Sequence, residues 1–411
     1  MRLTLLDRLA LPRGLKAVAN AVILSLIVSA PLIGYAGEIK IQAIVAGSDH
    51  SFVVSKDGKV YATNFGCQFG WGYSGDDSYS FTNAISLNGK NIIAISSGLT
   101  DYWRSLALSK DGKVYAAGDN NYGQLGLRDS DGEAYSCVFA EVKSLSGQKI
   151  IAIAANADKF SLVLTSDGKV YGAGDKEYDW LGLGDDGLNG FAEIKSLSGK
   201  NIVAIATGFG DSFVIAKDGK VYAMGNNNRG QLGVGDDDYR RGYSEIASLS
   251  AKNIIAIDAK MWHSLALAKN GRVYAAGDNE YGQLGLGDSG KGTNRDTFTE
   301  VTSLKGKNII AIATGNSHSL ALSKDGKVYA TGGNWVGQLG LGDSGDGTDR
   351  NTFSEVTSLN GKKIIAIDAG DSYSLALAKN GRVYATGYNY YGQLGLGGDT
   401  NRNVFTLVPI K

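Results

Sequence analysis

A unit of just over 50 residues recurs seven times after the first 37 residues, and this repeat limits the possible folds more than any other feature. Each copy contains a Val-Tyr pair, and successive tyrosines are 51 to 56 residues apart: Tyr61, Tyr115, Tyr171, Tyr222, Tyr274, Tyr329 and Tyr384. Repeat periods of this length are typical of β-propellers and solenoids.

Each unit contains four short segments rich in β-branched and aromatic residues, such as TEVTSL, NIIAIAT, SLALS and KVYAT in the copy that begins at Phe298. The third and fourth segments are joined by Asp-Gly or Asn-Gly, a strong hairpin signal that favours a type I′ turn. No stretch after residue 37 has an amphipathic helical period with caps. Four strands in each of seven units predict an all-β, seven-bladed β-propeller over residues 37–411.

The two ends of the repeat region suggest how the ring closes. The first unit begins at its second segment, Lys40 to Ala46, and the chain finishes with an unpartnered first segment, Phe405 to Ile410. We therefore predict that the C-terminal strand completes the first blade, which would leave only short, protected edges.

Residues 1–36 have the composition of a targeting segment. Four basic residues and a single acid precede an apolar run from Ala17 to Ala36, and small residues at Gly34 and Ala36 suit a cleavage site. These are the three parts of a secretory signal peptide. The run is also just long enough to be an uncleaved membrane anchor. We expect export in either case, with a periplasmic or secreted protein as the first expectation and a membrane-anchored one as the alternative.

The charge balance excludes one class of partner. The chain has 41 basic and 41 acidic residues and a formal net charge of zero, whereas nucleic-acid-binding domains are usually strongly basic. We expect no specific nucleic acid partner and no membrane insertion beyond the N-terminal segment.

Several motifs in fixed order carry a family resemblance. The segments GNSHSLALSKDGKVYATGGNWVGQLGLGD (Gly315 to Asp343) and GDNEYGQLGLGD (Gly277 to Asp288) resemble the repeat of the regulator-of-chromosome-condensation (RCC1-like) family. The resemblance covers essentially all of residues 38–411. It implies a seven-bladed propeller, in agreement with the count of segments. Its functional implications are broader, because the family includes nucleotide-exchange factors, an enzyme inhibitor and many interaction scaffolds.

The three histidines occupy one repeated position, just before the first serine of the third segment. His50, His263 and His318 stand where the other copies have Arg104, Phe160, Asp211 and Tyr373. A catalytic or metal-binding histidine would be single and would have partners of its own. We therefore interpret these histidines as structural and expect no catalytic residue and no metal.

Glycine-rich stretches point to turns and not to a cofactor. Gly285-x-Gly287-x-x-Gly290 matches the dinucleotide-binding pattern, but no helix follows it to supply a phosphate site. The carboxylates around Asp343 lack the spacing of a calcium loop, so we favour a solvated loop over a weak calcium site. We expect no cofactor.

The only two cysteines are Cys67 and Cys137. In an exported chain they can form a disulfide, provided that their Cα atoms come within about 7 Å. Two buried or reduced thiols are the alternative.

The repeat assigns charged and aromatic residues to two faces of the ring. The face with the hairpins, here called the turn face, collects lysines. The opposite face, here called the loop face, collects aspartates, and we hypothesise a neutral disc with two oppositely charged faces. Large aromatic residues at variable positions of the loop face predict a partner-binding surface, since aromatic residues are enriched in interface hot spots: Tyr102, Trp103, Trp180, Trp262, Trp335 and Tyr390.

The leading functional hypothesis is an exported, monomeric, non-enzymatic scaffold that binds a protein partner through one face. The resemblance implies an alternative, guanine-nucleotide exchange on a small GTPase. However, the family's exchange factors use a projecting hairpin wedge, and the even repeat spacing leaves no room for a long insertion. Inhibition of an exported enzyme is a third hypothesis. A hydrolase is disfavoured because no histidine lies outside the repeated position.

Overall fold

Seven four-stranded antiparallel sheets make up the described part of the chain. The structure is a computed structural model, and it describes residues 39–63, 79–98, 104–127, 135–155, 159–174, 181, 183 and 190–410. The first strands of neighbouring sheets contact one another around a complete circle, including the contact between the seventh sheet and the first. The protein is therefore an all-β, seven-bladed propeller, as predicted.

The strands of the first four blades are β1 Ile41–Ala46, β2 Ser51–Ser55, β3 Val60–Ala62 and β4 Thr82–Asn83; β5 Ile92–Ser97, β6 Arg104–Ser109, β7 Val114–Asp119 and β8 Tyr135–Glu141; β9 Ile150–Ala154, β10 Phe160–Thr165, β11 Val170–Gly174 and β12 Ala192–Glu193; and β13 Ile202–Thr207, β14 Asp211–Ala216, β15 Val221–Gly225 and β16 Arg240–Glu245.

The strands of the last three blades are β17 Ile254–Ala259, β18 His263–Ala268, β19 Val273–Gly277 and β20 Arg295–Glu300; β21 Ile309–Thr314, β22 His318–Ser323, β23 Val328–Gly332 and β24 Arg350–Glu355; and β25 Ile364–Ala369, β26 Tyr373–Ala378, β27 Val383–Gly387 and β28 Arg402–Leu407. The first strand of each blade lines the centre of the ring, and the fourth lies at the rim.

The predicted closure is wrong in its strand pairing. The C-terminal strand β28 pairs with β27, with Tyr384 opposite Leu407, and so belongs to the seventh blade. The outer edge of the first blade is already occupied by β4, which pairs with β3. Every blade is thus built from four consecutive strands. Among the described residues, the seam between blades one and seven is held by packing and side-chain hydrogen bonds, without a shared strand.

The hairpins between the second and third strands also differ from the predicted type. In the first blade, Gly58 has φ +80°, and Asp57 is not among the residues with positive φ. The Gly58 amide donates to the Ser55 carbonyl, and the Ser55 amide donates to the Lys59 carbonyl. This pattern describes a three-residue loop with glycine in the left-handed position, which is the next most common hairpin after the two-residue type I′ turn.

The first predicted segment of each unit divides into two elements. In the copy TEVTSL, β20 ends at Glu300 and a 3₁₀ turn follows at Thr302–Leu304. Equivalent 3₁₀ turns occupy Ile85–Leu87, Lys143–Leu145, Lys195–Leu197, Ala247–Leu249 and Thr357–Leu359. Each turn buries its leucine and thereby directs the chain from the rim of one blade to the centre of the next.

The apolar core consists of layers between adjacent blades. One layer joins Leu320 and Leu322 of blade six to Ala376 and Tyr384 of blade seven. Another joins blade seven to Ile41 and Ile44 of blade one. Because alternate residues of a strand point to opposite faces of the sheet, each blade contributes side chains to the two layers on either side of it. The ring therefore positions its loops on a rigid base.

Candidate functional site: the loop face and the channel beneath it

The long loops between third and fourth strands share one hydrogen-bonded framework. In blade six, the Asn334 side-chain amide donates to the carbonyl and to the carboxylate of Asp343, both at 3.0 Å. The Leu339 amide donates back to Asn334 Oδ1 at 3.2 Å. Asn279 in blade five repeats all these contacts, and Asn389 in blade seven repeats those to the carbonyl and the leucine amide. Loops tied down in this way present their remaining side chains in fixed positions.

Aromatic side chains project from these loops in blades five to seven. Trp335 is 37% exposed and packs edge-on against Tyr281 of the preceding blade, with ring centroids 4.6 Å apart. Tyr390 is 61% exposed and contacts both Tyr388 and Tyr391. These five residues are called the aromatic patch below. Rigid aromatic groups of this kind lose little conformational entropy when a partner covers them.

The structure separates the predicted binding residues into three groups. Trp335 and Tyr390 lie in the aromatic patch. Trp262 lies nearer the centre, half-buried against Phe209 at 5.1 Å. The predicted residues Tyr102, Trp103 and Trp180 lie outside the described residues. The sequence does not single out Tyr391, because this residue is the repeated tyrosine of the Y-G-Q-L-G motif.

In several blades the residue at the histidine position bonds to the next blade. His263 Nε2 lies 2.9 Å from Ser319 Oγ of blade six, and His318 Nε2 lies 3.0 Å from Ser374 Oγ of blade seven. His50 Nε2 also contacts a serine of the next blade, Ser97, which lies at the end of the first strand of blade two. Arg104, at this position in blade two, donates from Nη2 to the Phe160 carbonyl of blade three at 3.1 Å. In these four blades the position therefore holds a residue whose side chain is hydrogen-bonded to the next blade.

The hydrogen-bond network assigns the tautomer of two histidines. Ser319 and Ser374 use their hydroxyl protons to bond the carbonyls of Gln283 and Gln338, at 2.8 and 2.7 Å. Each serine oxygen must therefore accept from His Nε2–H. Burial lowers the pKa of His263 to about 3, so the ring is neutral in the folded protein at pH 7.

The centre of the ring contains a buried cation that sequence reasoning missed. Lys260, just after the first strand of blade five, is 2% exposed. Its ammonium group donates to the Ala46 carbonyl of blade one at 2.9 Å and to the Ala369 carbonyl of blade seven. Lys260 therefore crosses the channel and bonds to both sides of the seam. The available signal was positional, since the equivalent residues in the other blades are all glycine or alanine: Gly47, Gly98, Ala155, Gly208, Gly315 and Gly370.

Two carboxylates accompany Lys260 in the channel. Asp368 Oδ2 accepts from the Ala46 amide at 2.8 Å, and Asp258 Oδ2 accepts from the Thr314 amide and hydroxyl at 2.7 and 2.6 Å. Burial, followed by the charge of Asp368, raises the pKa of Asp258 to about 6, although the Thr314 hydrogen bonds oppose this. These aspartates bond the exposed inner edge of the next blade's first strand, which would otherwise leave amide groups unpaired in the channel.

The turn face is less basic than the lysine pattern suggests. Lys113, Lys220 and Lys327 form ion pairs with Glu141, Glu245 and Glu355 at the ends of the outer strands. Lys200 and Lys307 lie over tyrosine rings, 4.5 and 4.9 Å from the centroids. On the loop face, Asp288 and Asp343 pair with Arg295 and Arg350. Local pairing therefore weakens the predicted contrast between the two faces.

The described residues contain no group of three or more His, Cys, Asp or Glu side chains that could hold a metal ion. The carboxylate of Asp343, considered for calcium, is used by Arg350 and Asn334. No helix in the described part of the chain could span a membrane. The N-terminal segment lies outside that part.

Cys137 lies in β8 and is disulfide-bonded. Cys67 lies outside the described residues, so its pairing with Cys137 stays a prediction.

Comparison with known proteins identifies the repeat. The model of the regulator of chromosome condensation (RCC1) repeat matches residues 111–164, 218–267, 270–322, 325–377 and 380–411. The human E3 ubiquitin-protein ligase HERC2 is 33% identical over 344 residues, which cover 81% of this chain but only 7% of HERC2. The ultraviolet-B receptor UVR8 of Arabidopsis thaliana is 29% identical over 376 residues, or 89% of this chain and 80% of UVR8.

Solved structures agree on the fold. Prp20p from Saccharomyces cerevisiae has a TM-score of 0.74 at 21% identity, and the match covers 97% of this chain and 90% of Prp20p. Yeast RCC1 (Prp20) in a structure bound to Kap60 has a TM-score of 0.73 at 22% identity, with 94% and 91% covered. The sequence motifs, the seven blades and these matches lead to one conclusion: the chain belongs to the regulator of chromosome condensation (RCC1) repeat family.

Proposed function

We propose that this protein is an exported, non-enzymatic scaffold that binds a protein partner through its loop face. The observation that carries the proposal is the aromatic patch, which combines large exposed rings with a rigid hydrogen-bonded base. Aromatic groups held in this way are the residues that dominate protein interfaces. Family membership supports a binding role, since yeast RCC1 (Prp20) has been solved in complex with a protein, Kap60.

The patch can be tested by truncation with a matched control. We expect the double variant Trp335→Ala/Tyr390→Ala to bind a captured partner at least tenfold more weakly, because two exposed aromatic anchors are removed. Ile85→Ala is the control, since Ile85 is 72% exposed but lies in a 3₁₀ turn on the turn face. Affinities would be measured by surface plasmon resonance with a partner isolated on the full-length protein. Equal loss in both variants, or no loss in either, would contradict a loop-face interface.

Export is tested separately by cell fractionation. We expect the protein in the periplasm or medium, and an intact N-terminus by mass spectrometry would favour the anchored alternative. Recovery of the full-length protein in the cytosol alone would overturn the exported part of the proposal.

Family membership also favours a second candidate, guanine-nucleotide exchange. It predicts that the protein accelerates release of a fluorescent guanine nucleotide from a small GTPase. An unchanged release rate over a panel of such GTPases would leave the scaffold function as the better proposal.

A further inference from the structure

Blade seven contains an arginine that lacks the carboxylate partner found in three other blades. Four arginines occupy the same register, each opposite the last glycine of the third strand: Arg240, Arg295, Arg350 and Arg402. In blades four to six, Nη2 of the arginine bonds Oδ2 of an aspartate at 2.5 Å: Asp236, Asp288 and Asp343. Among the described residues, Arg402 has no such ion pair.

The missing partner is explained by one residue. In blade six, the Asn334 side-chain amide donates to the Asp343 carbonyl. In blade seven, Asn389 donates in the same way to the Gly398 carbonyl at 2.6 Å. Gly398 therefore occupies the position of the aspartate but has no carboxylate.

Arg402 nevertheless makes the same backbone contacts as Arg350, one of its paired equivalents. Its Nη1 donates to the carbonyls of Thr400 and Asn401 at 3.2 and 3.1 Å. Arg350 makes the same two contacts through Nη1, with Thr348 and Asp349. The guanidinium is therefore held in place with one edge unused. Asp399, next to Gly398, forms no ion pair with it in the described structure.

Among the described residues, the unpaired arginine is linked through Asn389 to the tyrosines of blade seven. The Asn389 amide donates to Asn401 Oδ1 at 2.9 Å, and the Asn389 side chain donates to the Thr400 carbonyl at 3.2 Å. Tyr388 and Tyr390 flank Asn389, so the tyrosines and Arg402 belong to one bonded unit. Blade seven thus combines a fixed half-exposed cation with three exposed or half-exposed tyrosine rings.

We propose that Arg402 is a carboxylate-binding site for an aspartate or glutamate side chain of a partner protein, with the blade-seven tyrosines packing on adjacent apolar residues of that partner. The inference rests on the proposed loop-face function and names the chemistry that the face recognises. A carboxylate is the favoured ligand because the same position receives one from within the chain in blades four to six. An arginine–carboxylate contact is directional and therefore contributes specificity.

The chain offers a variant that fills the site from within. A Cβ atom added at Gly398 would meet nothing within 4 Å, and its φ lies outside the left-handed region. Gly398→Asp should therefore fold normally and supply Arg402 with the ion pair of the other blades. Arg402→Gln removes the cation instead. Thermal unfolding would check that each variant is folded.

The test uses phage-displayed random dodecapeptides, selected on the full-length protein and then on the two variants. We expect wild-type selections to enrich Asp or Glu beside an apolar residue. A selected peptide, measured by fluorescence anisotropy, should bind at least tenfold more weakly to either variant. It should lose affinity similarly when its acidic residue is replaced by the amide. Binding should also weaken as salt is raised.

Two results would overturn the inference: selection of peptides without an essential acidic residue, or selected peptides that bind Gly398→Asp as well as wild type. An absence of enriched peptides would also count against it. None of these results affects the partner-binding test with Trp335→Ala/Tyr390→Ala, so failure of the Arg402 site and failure of the loop-face function remain distinguishable.

Discussion

Replacing Lys260 by methionine is expected to lower the free energy of unfolding by about 3–5 kcal/mol, the usual cost of removing one partner from a buried charge cluster. Methionine has a similar length but no charge and no donor. The change leaves the carbonyls of Ala46 and Ala369 without their ammonium donor. It also removes the positive charge that favours the ionised form of buried Asp368. Urea unfolding at pH 7, followed by circular dichroism, measures the loss.

Two further variants make the Lys260 experiment specific. Lys252→Met is the matched control, because Lys252 lies over the Tyr274 ring on the turn face and its loss should cost less than about 1 kcal/mol. Adding Asp368→Asn to Lys260→Met should restore part of the stability, since the Asp368 carboxylate is then no longer buried without its cation. Equal effects of Lys260→Met and Lys252→Met would show that the trans-channel contacts contribute little.

Acid is expected to destabilise the protein through its buried histidines. Burial is the largest cause that lowers the pKa of His50, His263 and His318 to about 3, from the ordinary value of 6.5. Between pH 6.5 and 3, these histidines are therefore protonated in the unfolded chain and neutral in the folded protein. Each histidine's contribution is fully present above pH 6.5 and falls by about 1.4 kcal/mol per pH unit between pH 6.5 and 3.

Buried aspartates oppose this trend. Burial raises the pKa of Asp258 to about 6 and that of Asp211 and Asp368 above the ordinary range. These groups hold protons in the folded protein that the unfolded chain releases. Asp258 therefore makes folding more favourable as the pH falls from about 6 to 4, and the raised pKa values of Asp211 and Asp368 act in the same direction. The pH dependence of the free energy of unfolding is the difference between the histidine and aspartate contributions. The contribution of one histidine must therefore be isolated by substitution.

His263→Phe isolates one histidine, and Phe160 shows that phenylalanine fits the same position in blade three. We expect the loss of stability between pH 6.5 and 4.5 to be smaller in this variant than in wild type by roughly 2–3 kcal/mol. Chemical unfolding at several pH values measures the difference. An unchanged pH dependence would mean that His263 takes up its proton in the folded protein, contrary to its buried position.

The fold could be predicted because its signals are local and are repeated seven times. Strand segments and Asp-Gly or Asn-Gly turns recur every 51 to 56 residues, so an error in one copy is corrected by the others. The pairing of the last strand could not be predicted in this way. Its segment is compatible with either neighbouring sheet, and the choice depends on β4 already covering the edge of blade one.

The proposed binding surface was only partly predictable. Trp335 and Tyr390 stand out because they occupy a variable position, which holds asparagine or glutamate in four other blades. Arg402 looks like its equivalents in the sequence, and its lack of a partner becomes visible only when the Asn389–Gly398 bond aligns the loops.

The sequence by itself determined the number of blades, the strand order within each unit and the two faces, because these follow from short-range periodicity and turn chemistry. Only the tertiary structure decided the seam, the channel and the charge pairing. Lys260 bonds to residues more than 100 positions away, and contacts at such separations depend on where the ring closes. The sequence pattern around a single residue does not show where the ring closes.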